Sequence, residues 1–207
     1  GETSYDNLFI SFFDISYVKW SEKDIKTELV LIKKDLDQYS GYQYQINYKQ
    51  DNEITCKAAV RVSETDQIGK SADSTKDLSE DTLTSKEYVH KHKRENILIS
   101  DVNKDLFNKT GEAEMNLLKP PVEHILNDGP VNFRNILYFM ETSRQCMNLV
   151  SHKYSKFPLD IVSMTQLSVT IEHARPVSYS ENIKMTVLPP EGDQVGNIYY
   201  FKPQLNI

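Results

Sequence analysis

Several features that define common protein classes are scarce in this chain of 207 residues. It has only two cysteines, which argues against a disulfide-stabilised secreted fold and favours free thiols in a reducing cytoplasm. Seven glycines and eight prolines argue against fibrous and low-complexity classes. No apolar run approaches the roughly 18 residues that a membrane-spanning helix needs. We therefore expect a cytoplasmic globular protein with no membrane partner.

Basic residues are fewer than acidic residues. Lysine and arginine together count 24 and aspartate and glutamate 30, so the net charge of −6 argues against a nucleic-acid partner. The five histidines show no metal-ligand spacing with the cysteines, so neither a metal site nor a cofactor is expected. With 39% hydrophobic and 26% charged residues, the chain can bury a core, as one large domain or two small ones.

The segment 128–153 is predicted to be the central helix of the protein. Asp128, Gly129 and Pro130 form a helix-start signal, since proline loses no useful N–H in the first turn. Apolar residues then recur at helical spacing and define one stripe, which consists of Phe133, Ile136, Leu137, Met140, Met147 and Val150.

Arg144 falls inside this stripe, and Glu141 lies at its margin three residues earlier. A buried arginine needs a partner or a ligand, because an unpaired buried charge is costly. Gln145 adds a further polar group beside it. The pattern predicts either a functional Glu141–Arg144 site or a structural ion pair at the rim of the core.

Strands are predicted on both sides of this helix. Before it, four runs predict an antiparallel meander, and residues 64–88 are so polar that they predict an exposed linker. The basic run 90–94 follows, as either a patch for an acidic carrier protein or phosphate, or a solvated edge. The predicted strands are 8–18, 27–32, 42–48, 53–62, 96–102, 113–118, 160–172, 182–188 and 195–201, with a turn at 189–192.

The chain contains a weak internal repeat. Residues 8–17 align with 160–169, which superposes Ser11 on Ser163 and Ser16 on Ser168. Residues 24–26 then match 182–184 with the same order of strand, connection and strand. The repeat predicts that residues 1–72 are the back half of a first unit, 73–86 a linker, and 87–207 a complete second unit.

A strand, a long helix and a meander that wraps around it form the hotdog arrangement, an α+β fold. Residues 87–172 also resemble the A-factor biosynthesis hotdog family, the γ-butyrolactone autoregulator synthases. The resemblance lies in the segment 88–101, in His124, in Glu141-Thr-Ser-Arg-Gln145, and in His152 with the turn that follows it. Members of that family carry two hotdog units in tandem, so a double hotdog with an incomplete first unit is expected.

The resemblance implies acyl transfer, in which a β-ketoacyl group passes from an acyl-carrier thioester to the hydroxyl of a small phosphorylated triose. Glu141 in a partly desolvated site is expected to have a raised pKa and to act as general base. Arg144 is expected to bind a phosphate or orient Glu141, with His124 as a second acid/base candidate. The predicted substrate-binding residues are Gln145, Asp128, Gly129 and Asn132, with backbone N–H groups near Gly129 holding the thioester oxygen.

Two other functions remain open from the sequence. One is a hotdog dehydratase or thioesterase that uses Glu141, or His124 with Asp128. The other is a non-catalytic acyl-binding or scaffold subunit. In each case the expected partners are an acyl carrier protein or acyl-CoA, with a phosphopantetheine-linked acyl group as the ligand. The acyltransferase function adds a small hydroxyl acceptor, which can be phosphorylated. The assembly is expected to be a pseudo-dimer of hotdog units or a homo-oligomer.

Overall fold

A computed structural model describes residues 8–35, 41–65, 84–120, 124–127, 133–153, 158–159, 168–178, 181–187, 191–195, 198–202 and 205–206. The chain forms two compact units. The strands and α-helices, in chain order, are β1 (Leu8–Tyr17), β2 (Glu28–Asp35), β3 (Gly41–Gln50), β4 (Glu53–Glu64), α1 (Lys104–Thr110), β5 (Ala113–Leu117), α2 (Ile136–Lys153), β6 (Ser168–Glu172), β7 (Ile183–Val187), β8 (Glu191–Val195), β9 (Ile198–Lys202) and β10 (Leu205–Asn206).

The first unit is built on a five-stranded antiparallel sheet with the order β2-β3-β4-β1-β6. The four predicted N-terminal strands are all present, but the prediction that they form a simple meander is wrong for β1. This strand pairs with β4 and β6 instead of β2. Its sequence is apolar on both faces, which suits a central position, whereas β2 lies at the edge and carries Lys33.

The pairing of β1 with β6 bears on the internal repeat. Ser16 lies opposite Ser168, and Ile15 lies opposite Val169. The sequence alignment superposes the same two serines. When two copies of one strand pair antiparallel about a two-fold axis, each residue on that axis faces its own counterpart, so this register is the one that a repeat produces. Most of the second copy, residues 160–167, lies outside the described residues, as does most of the predicted linker 73–86.

The second unit contains a three-stranded antiparallel sheet with the order β10-β7-β5 and a β8–β9 hairpin. Met115 of β5 faces Met185 of β7, and both are buried. The predicted strand over 96–102 is wrong as a regular strand, since residues 94–96 form a 3-10 turn. The extended residues that follow are joined to β5 by a bridge between Ile99 and Leu117 and by a hydrogen bond from the Ser100 N–H to the Asn116 carbonyl at 2.9 Å.

The C-terminal strands also differ from the prediction. Residues 191 and 192 of the predicted turn lie in β8, and 189–190 lie outside the described residues. The single strand predicted at 195–201 is divided between β8 and β9, in which Val195 pairs with Ile198. The intervening sequence Gly196-Asn197 is typical of a two-residue hairpin turn, a signal that the sequence analysis did not use. The short helix α1 was also missed. The predicted strands at 113–118 and 182–188 are confirmed as β5 and β7.

The central helix is confirmed as α2, but it begins later than predicted. Its first predicted residues, 128–132, lie outside the described residues, and 133–135 are not helical. Phe133 forms a bridge with Ser178, and Asn135 caps the helix by accepting a hydrogen bond from the Tyr138 N–H at 2.9 Å. Residues 136–140 belong to the first unit and 141–153 to the second.

The predicted apolar stripe of α2 is confirmed in part, since Phe133, Ile136 and Val150 are buried. Leu137 is 54% exposed, whereas Phe139, Thr142, Gln145 and Cys146 are fully buried. A helix that is buried around most of its circumference encloses small polar residues as well as apolar ones, so apolar spacing alone does not fix the buried face. Arg144 is consequently half-buried, with 34% of its side chain exposed.

Candidate active site

Glu141 and Arg144 form a bidentate ion pair on one side of α2. Arg144 Nη2 donates to Glu141 Oε1 at 2.9 Å, and Arg144 Nε donates to Oε2 at 3.1 Å. Three residues separate them, which places the two side chains on neighbouring positions of the helix surface. The guanidinium fork matches the two carboxylate oxygens, so the pair fixes the plane of the arginine as well as its position.

Gln145 joins this pair to the chain that precedes β5. Its Nε2 donates to Glu141 Oε1 at 2.7 Å and to the Asn96 carbonyl at 2.8 Å. Its Oε1 accepts from the Leu98 N–H at 2.9 Å. The side chain is fully buried and uses both ends in hydrogen bonds, as a buried amide requires. Gln145 therefore holds the segment 96–98 against α2 while it orients Glu141.

Lys91 completes the cluster, although the sequence analysis did not select it as a site residue. Its Nζ lies 2.7 Å from Glu141 Oε1, and its side chain is 21% exposed. The signal in the sequence was the basic run 90–94, for which a phosphate or carrier patch was one of two interpretations. Two cations and one carboxylate leave the cluster with a net positive charge at a half-buried position, which suits an anionic ligand.

The pKa of Glu141 is shifted in the direction opposite to the expected one. Burial disfavours the carboxylate and by itself would raise the pKa, but hydrogen bonds from Arg144, Gln145 and Lys91 outweigh it and lower the pKa to about 2. The expected raised pKa is therefore wrong. The sequence analysis counted the burial and the arginine but not the lysine and amide donors. At neutral pH, Glu141 is a carboxylate that accepts from four donor groups on three side chains. It is therefore better suited to orienting cations than to accepting a proton.

A histidine pair lies beside the cluster and was also missed as a site element. His90 Nε2 and His152 Nε2 are 2.7 Å apart, with His90 exposed and His152 buried. Burial lowers the pKa of His90, and the electrostatic interactions with His152 and Arg144 lower it further. His90 adopts a left-handed backbone conformation with φ of 54°, which is uncommon outside glycine. A neutral, solvent-accessible imidazole next to Arg144 is a candidate proton acceptor.

The structure does not place the other predicted site residues in this cluster. His124 is half-buried before a 3-10 turn, where its Nδ1 accepts a hydrogen bond from the Leu126 N–H at 3.1 Å. That bond is local, and its acid/base role stays a prediction. Asp128, Gly129 and Asn132 lie outside the described residues, so their substrate-binding roles stay predictions too. In the part of the chain that the structure describes, no three histidine, cysteine or acidic side chains converge to hold a metal ion.

Both cysteines are free and buried, as the sequence predicts. Burial raises the pKa of the Cys56 and Cys146 thiols. The thiolate is the reactive form, so neither side chain is suited to nucleophilic catalysis at neutral pH. Among the described helices, none has the length and apolar character to cross a membrane.

Comparison with models of known protein families identifies the family of this chain. A model of the A-factor biosynthesis hotdog domain matches residues 72–196, more than half of the chain. The chain belongs to the A-factor biosynthesis hotdog family. The match includes the Glu141–Arg144–Gln145 motif, Lys91, and the His90–His152 pair. The resemblance that rested on a few short segments is thereby confirmed, together with the α+β hotdog fold.

Solved structures extend the fold comparison beyond this family. A tesB protein of Mycobacterium avium subspecies paratuberculosis is similar with a TM-score of 0.52 and 7% identity, over 97% of this chain and 73% of that one. An acyl-CoA thioesterase II of Mycobacterium marinum is similar with a TM-score of 0.52 and 12% identity, over 95% and 74% of the two chains. Such low identities show a shared fold only. The tandem hotdog arrangement is consistent with both matches. No curated protein sequence matches this chain.

Proposed function

We propose that this A-factor family protein is an acyl-thioester-utilising enzyme. It transfers a (β-keto)acyl group from an acyl carrier protein or acyl-CoA to the hydroxyl of a small acceptor that carries a phosphate. The observation that carries the proposal is the cluster of Glu141, Arg144, Lys91 and Gln145. A thioester hydrolase needs only water as its acceptor, whereas a half-buried cluster with net positive charge suits an anionic one.

Arg144 is the phosphate-binding residue in this proposal. Within the described part of the chain, its hydrogen bonds come only from Nε and Nη2, and both go to Glu141. A guanidinium has five N–H donors, so those of Nη1 remain for a ligand. Glu141 holds the fork in place, and Lys91 adds a second cation on the same carboxylate. Glu141 thus acts as a positioning residue for two cations.

His90 takes the acceptor proton in this proposal. When its Nε2–H donates to His152 Nε2, its Nδ1 carries the lone pair. The acceptor hydroxyl oxygen attacks the thioester carbonyl carbon while its proton passes to His90 Nδ1. The carbon–sulfur bond then breaks, and the proton returns to the departing thiolate. The lowered pKa of His90 keeps it neutral, and therefore able to accept, at neutral pH.

The test supplies a β-ketoacyl carrier thioester and a 3-hydroxyacyl carrier thioester side by side, each with and without a triose phosphate. Mass spectrometry of the products distinguishes the reactions. We expect an acyl ester of the triose phosphate from the ketoacyl substrate only. Free acid or an enoyl product that forms equally well without the triose overturns the transferase proposal.

Hydrolysis or dehydration of an acyl thioester is the second candidate. It is favoured by the similarity of the fold to an acyl-CoA thioesterase over 95% of this chain. Water or the substrate's own hydroxyl replaces the triose, so activity in the absence of any acceptor identifies it. A non-catalytic acyl-binding role is the remaining reading, and it predicts that Glu141→Ala and Arg144→Ala leave every activity intact.

A further inference from the structure

The basic run 90–94 extends beyond the candidate site onto the protein surface. Lys91 reaches into the site, where its Nζ lies 2.7 Å from Glu141 Oε1. Its backbone N–H donates to the Lys86 carbonyl at 3.0 Å, so the chain folds back and places Lys86 next to the run. The exposed positions of this segment form a basic rim, which consists of Lys86, His92, Lys93 and Arg94. The basic rim therefore adjoins the site through Lys91.

The backbone beneath the basic rim is held in place. Val89 is fully buried and Ile97 is 5% exposed, so the segment is anchored at both positions. The Asn96 and Ile97 N–H groups donate to the Lys93 and Arg94 carbonyls at 3.3 Å and 3.0 Å. The charged side chains thus project from a fixed backbone, which lowers the entropy cost of recognising a partner.

The charge of the basic rim contrasts with that of the whole chain. The run 90–94 contains no acidic residue, whereas the chain has a net charge of −6. Lys93 is only loosely paired with Glu95, at 3.8 Å with both side chains exposed, and such pairs contribute little. An acidic partner is repelled by the chain as a whole and attracted at the basic rim, which orients the two surfaces as they meet.

A small anion, such as the phosphates of free coenzyme A, fits the basic rim less well than an acidic protein. Protein sites for small anions commonly use several converging backbone N–H groups. Here the N–H groups of His90, Lys91, Asn96 and Ile97 already donate to carbonyls of the same segment. The basic rim instead offers long, exposed side chains, which match carboxylates spread over a protein surface.

We propose that the basic rim docks an acidic acyl carrier protein. Carboxylates on the carrier surface pair with Lys86, Lys93 and Arg94, and the thioester on its flexible phosphopantetheine arm enters the adjacent site. That the docked protein is the acyl donor rests on the proposed function. The docking itself does not, since binding can be measured without turnover.

The first test measures binding of the holo form of a bacterial fatty-acid acyl carrier protein, which is acidic, by fluorescence anisotropy. Lys86→Glu/Lys93→Glu reverses two charges of the basic rim at exposed positions. Lys86→Gln/Lys93→Gln only removes these charges and should cause a smaller loss in the same direction. Lys23→Glu/Lys26→Glu is the matched control, with the same change of net charge at exposed positions in the loop before β2.

We expect the charge-reversed rim variant to raise the Kd of the carrier protein by about tenfold at low salt. Most of this difference should disappear at about 0.5 M salt, because dissolved ions screen exposed charges. The control variant should stay close to wild type at both salt concentrations.

The second test compares one β-ketoacyl group on three donors: the carrier protein, coenzyme A and pantetheine. The charge-reversed rim variant should raise KM for the carrier thioester and leave kcat unchanged, because docking affects only the binding of the donor. KM for the two small thioesters should not change. The constants for the acceptor, measured at saturating donor, should be unchanged as well.

No carrier binding to wild type, or equal binding by wild type and the charge-reversed rim variant at low salt, overturns the docking proposal. An equal loss in the control variant overturns it too, since it shows an effect of net charge alone. An equal rise of KM for the coenzyme A thioester shows that the basic rim binds the phosphates of coenzyme A instead. Carrier binding without any acyl transfer leaves the docking in place and overturns the proposed function. Transfer from the pantetheine thioester without carrier binding does the reverse.

Discussion

Arg144 donates hydrogen bonds to both carboxylate oxygens of Glu141, with lengths of 2.9 Å and 3.1 Å. It lies three residues further along the same helix. An exposed pair at this spacing contributes little to stability, because solvent screens it. Here the pair is half-buried, and Lys91 and Gln145 add two more donors to the same carboxylate. The four side chains therefore form one unit, and the effects of changing them are expected to be non-additive.

Glu141 is expected to make stability depend on pH in the acid range. Its folded pKa of about 2 lies below the ordinary value of 4.5, so the fold favours the charged form. That contribution is fully present above about pH 4.5 and is lost as the pH falls toward 2, with a magnitude of about 3 kcal/mol. Urea unfolding of wild type and Glu141→Gln should show a gap at pH 6 that narrows by pH 3. A gap that stays constant over this range contradicts the lowered pKa.

Gln145 is expected to be a stability residue as well as a site residue. Gln145→Met keeps the length of the side chain but leaves the Leu98 N–H and the Asn96 carbonyl without their partner. Two buried polar groups left unsatisfied cost about 2 to 4 kcal/mol. Gln43→Met on β3 is the control, since Gln43 is only half-buried there. Equal losses of unfolding free energy in the two variants would contradict the role of Gln145 in joining α2 to residues 96–98.

Asn135 is expected to stabilise α2 through its cap. Asn135→Ala removes the acceptor for the Tyr138 N–H and should lower the unfolding free energy by about 1 kcal/mol. Asn135→Ser, which keeps a capping oxygen, should restore most of it. Thermal unfolding of the three proteins checks both statements, and a serine variant no better than alanine rules the cap out.

His90 is expected to set the acid limb of the pH–rate profile. Its pKa lies below the ordinary 6.5, so transfer should rise with pH through a value below 6.5 and then stay level. Glu141, already ionised, should add no limb near neutrality. His90→Gln should remove the limb and most of the rate, whereas His92→Gln, at an exposed position in the same basic run, should keep both. An unchanged profile in His90→Gln would exclude it as the proton acceptor.

Local patterns predicted the elements of this fold well, and long-range pairing less well. The alternation in 42–48 and the apolar runs in β1 and β4 identify strands, because they follow from side-chain direction along a strand. Which strand lies beside which is a tertiary property, so β1 was placed next to β2 instead of between β4 and β6. The α2 stripe was right for Phe133, Ile136 and Val150 and wrong for Leu137, because a helix enclosed on most sides has no single apolar face.

The candidate site was predicted in part. Glu141, Arg144 and Gln145 lie within five consecutive positions of one helix, so their proximity follows from local geometry. Lys91 and His90 reach the site from about 50 residues away in sequence, through contacts that only the fold creates. The same missing partners explain the wrong pKa of Glu141, because the sequence showed the burial but not all the donors that outweigh it.

The most direct test of the account compares acyl transfer to a phosphorylated acceptor and to its dephosphorylated form. For wild type, we expect a strong preference for the phosphorylated acceptor. Arg144→Ala should lower kcat/KM for that acceptor by about 100-fold, since charged hydrogen bonds contribute roughly 1.5–3 kcal/mol each. It should change the other acceptor far less, and Lys93→Ala, at a position 73% exposed, should change neither. Full transfer to the phosphorylated acceptor by both Arg144→Ala and Glu141→Ala would contradict the account and leave the cluster a structural ion pair.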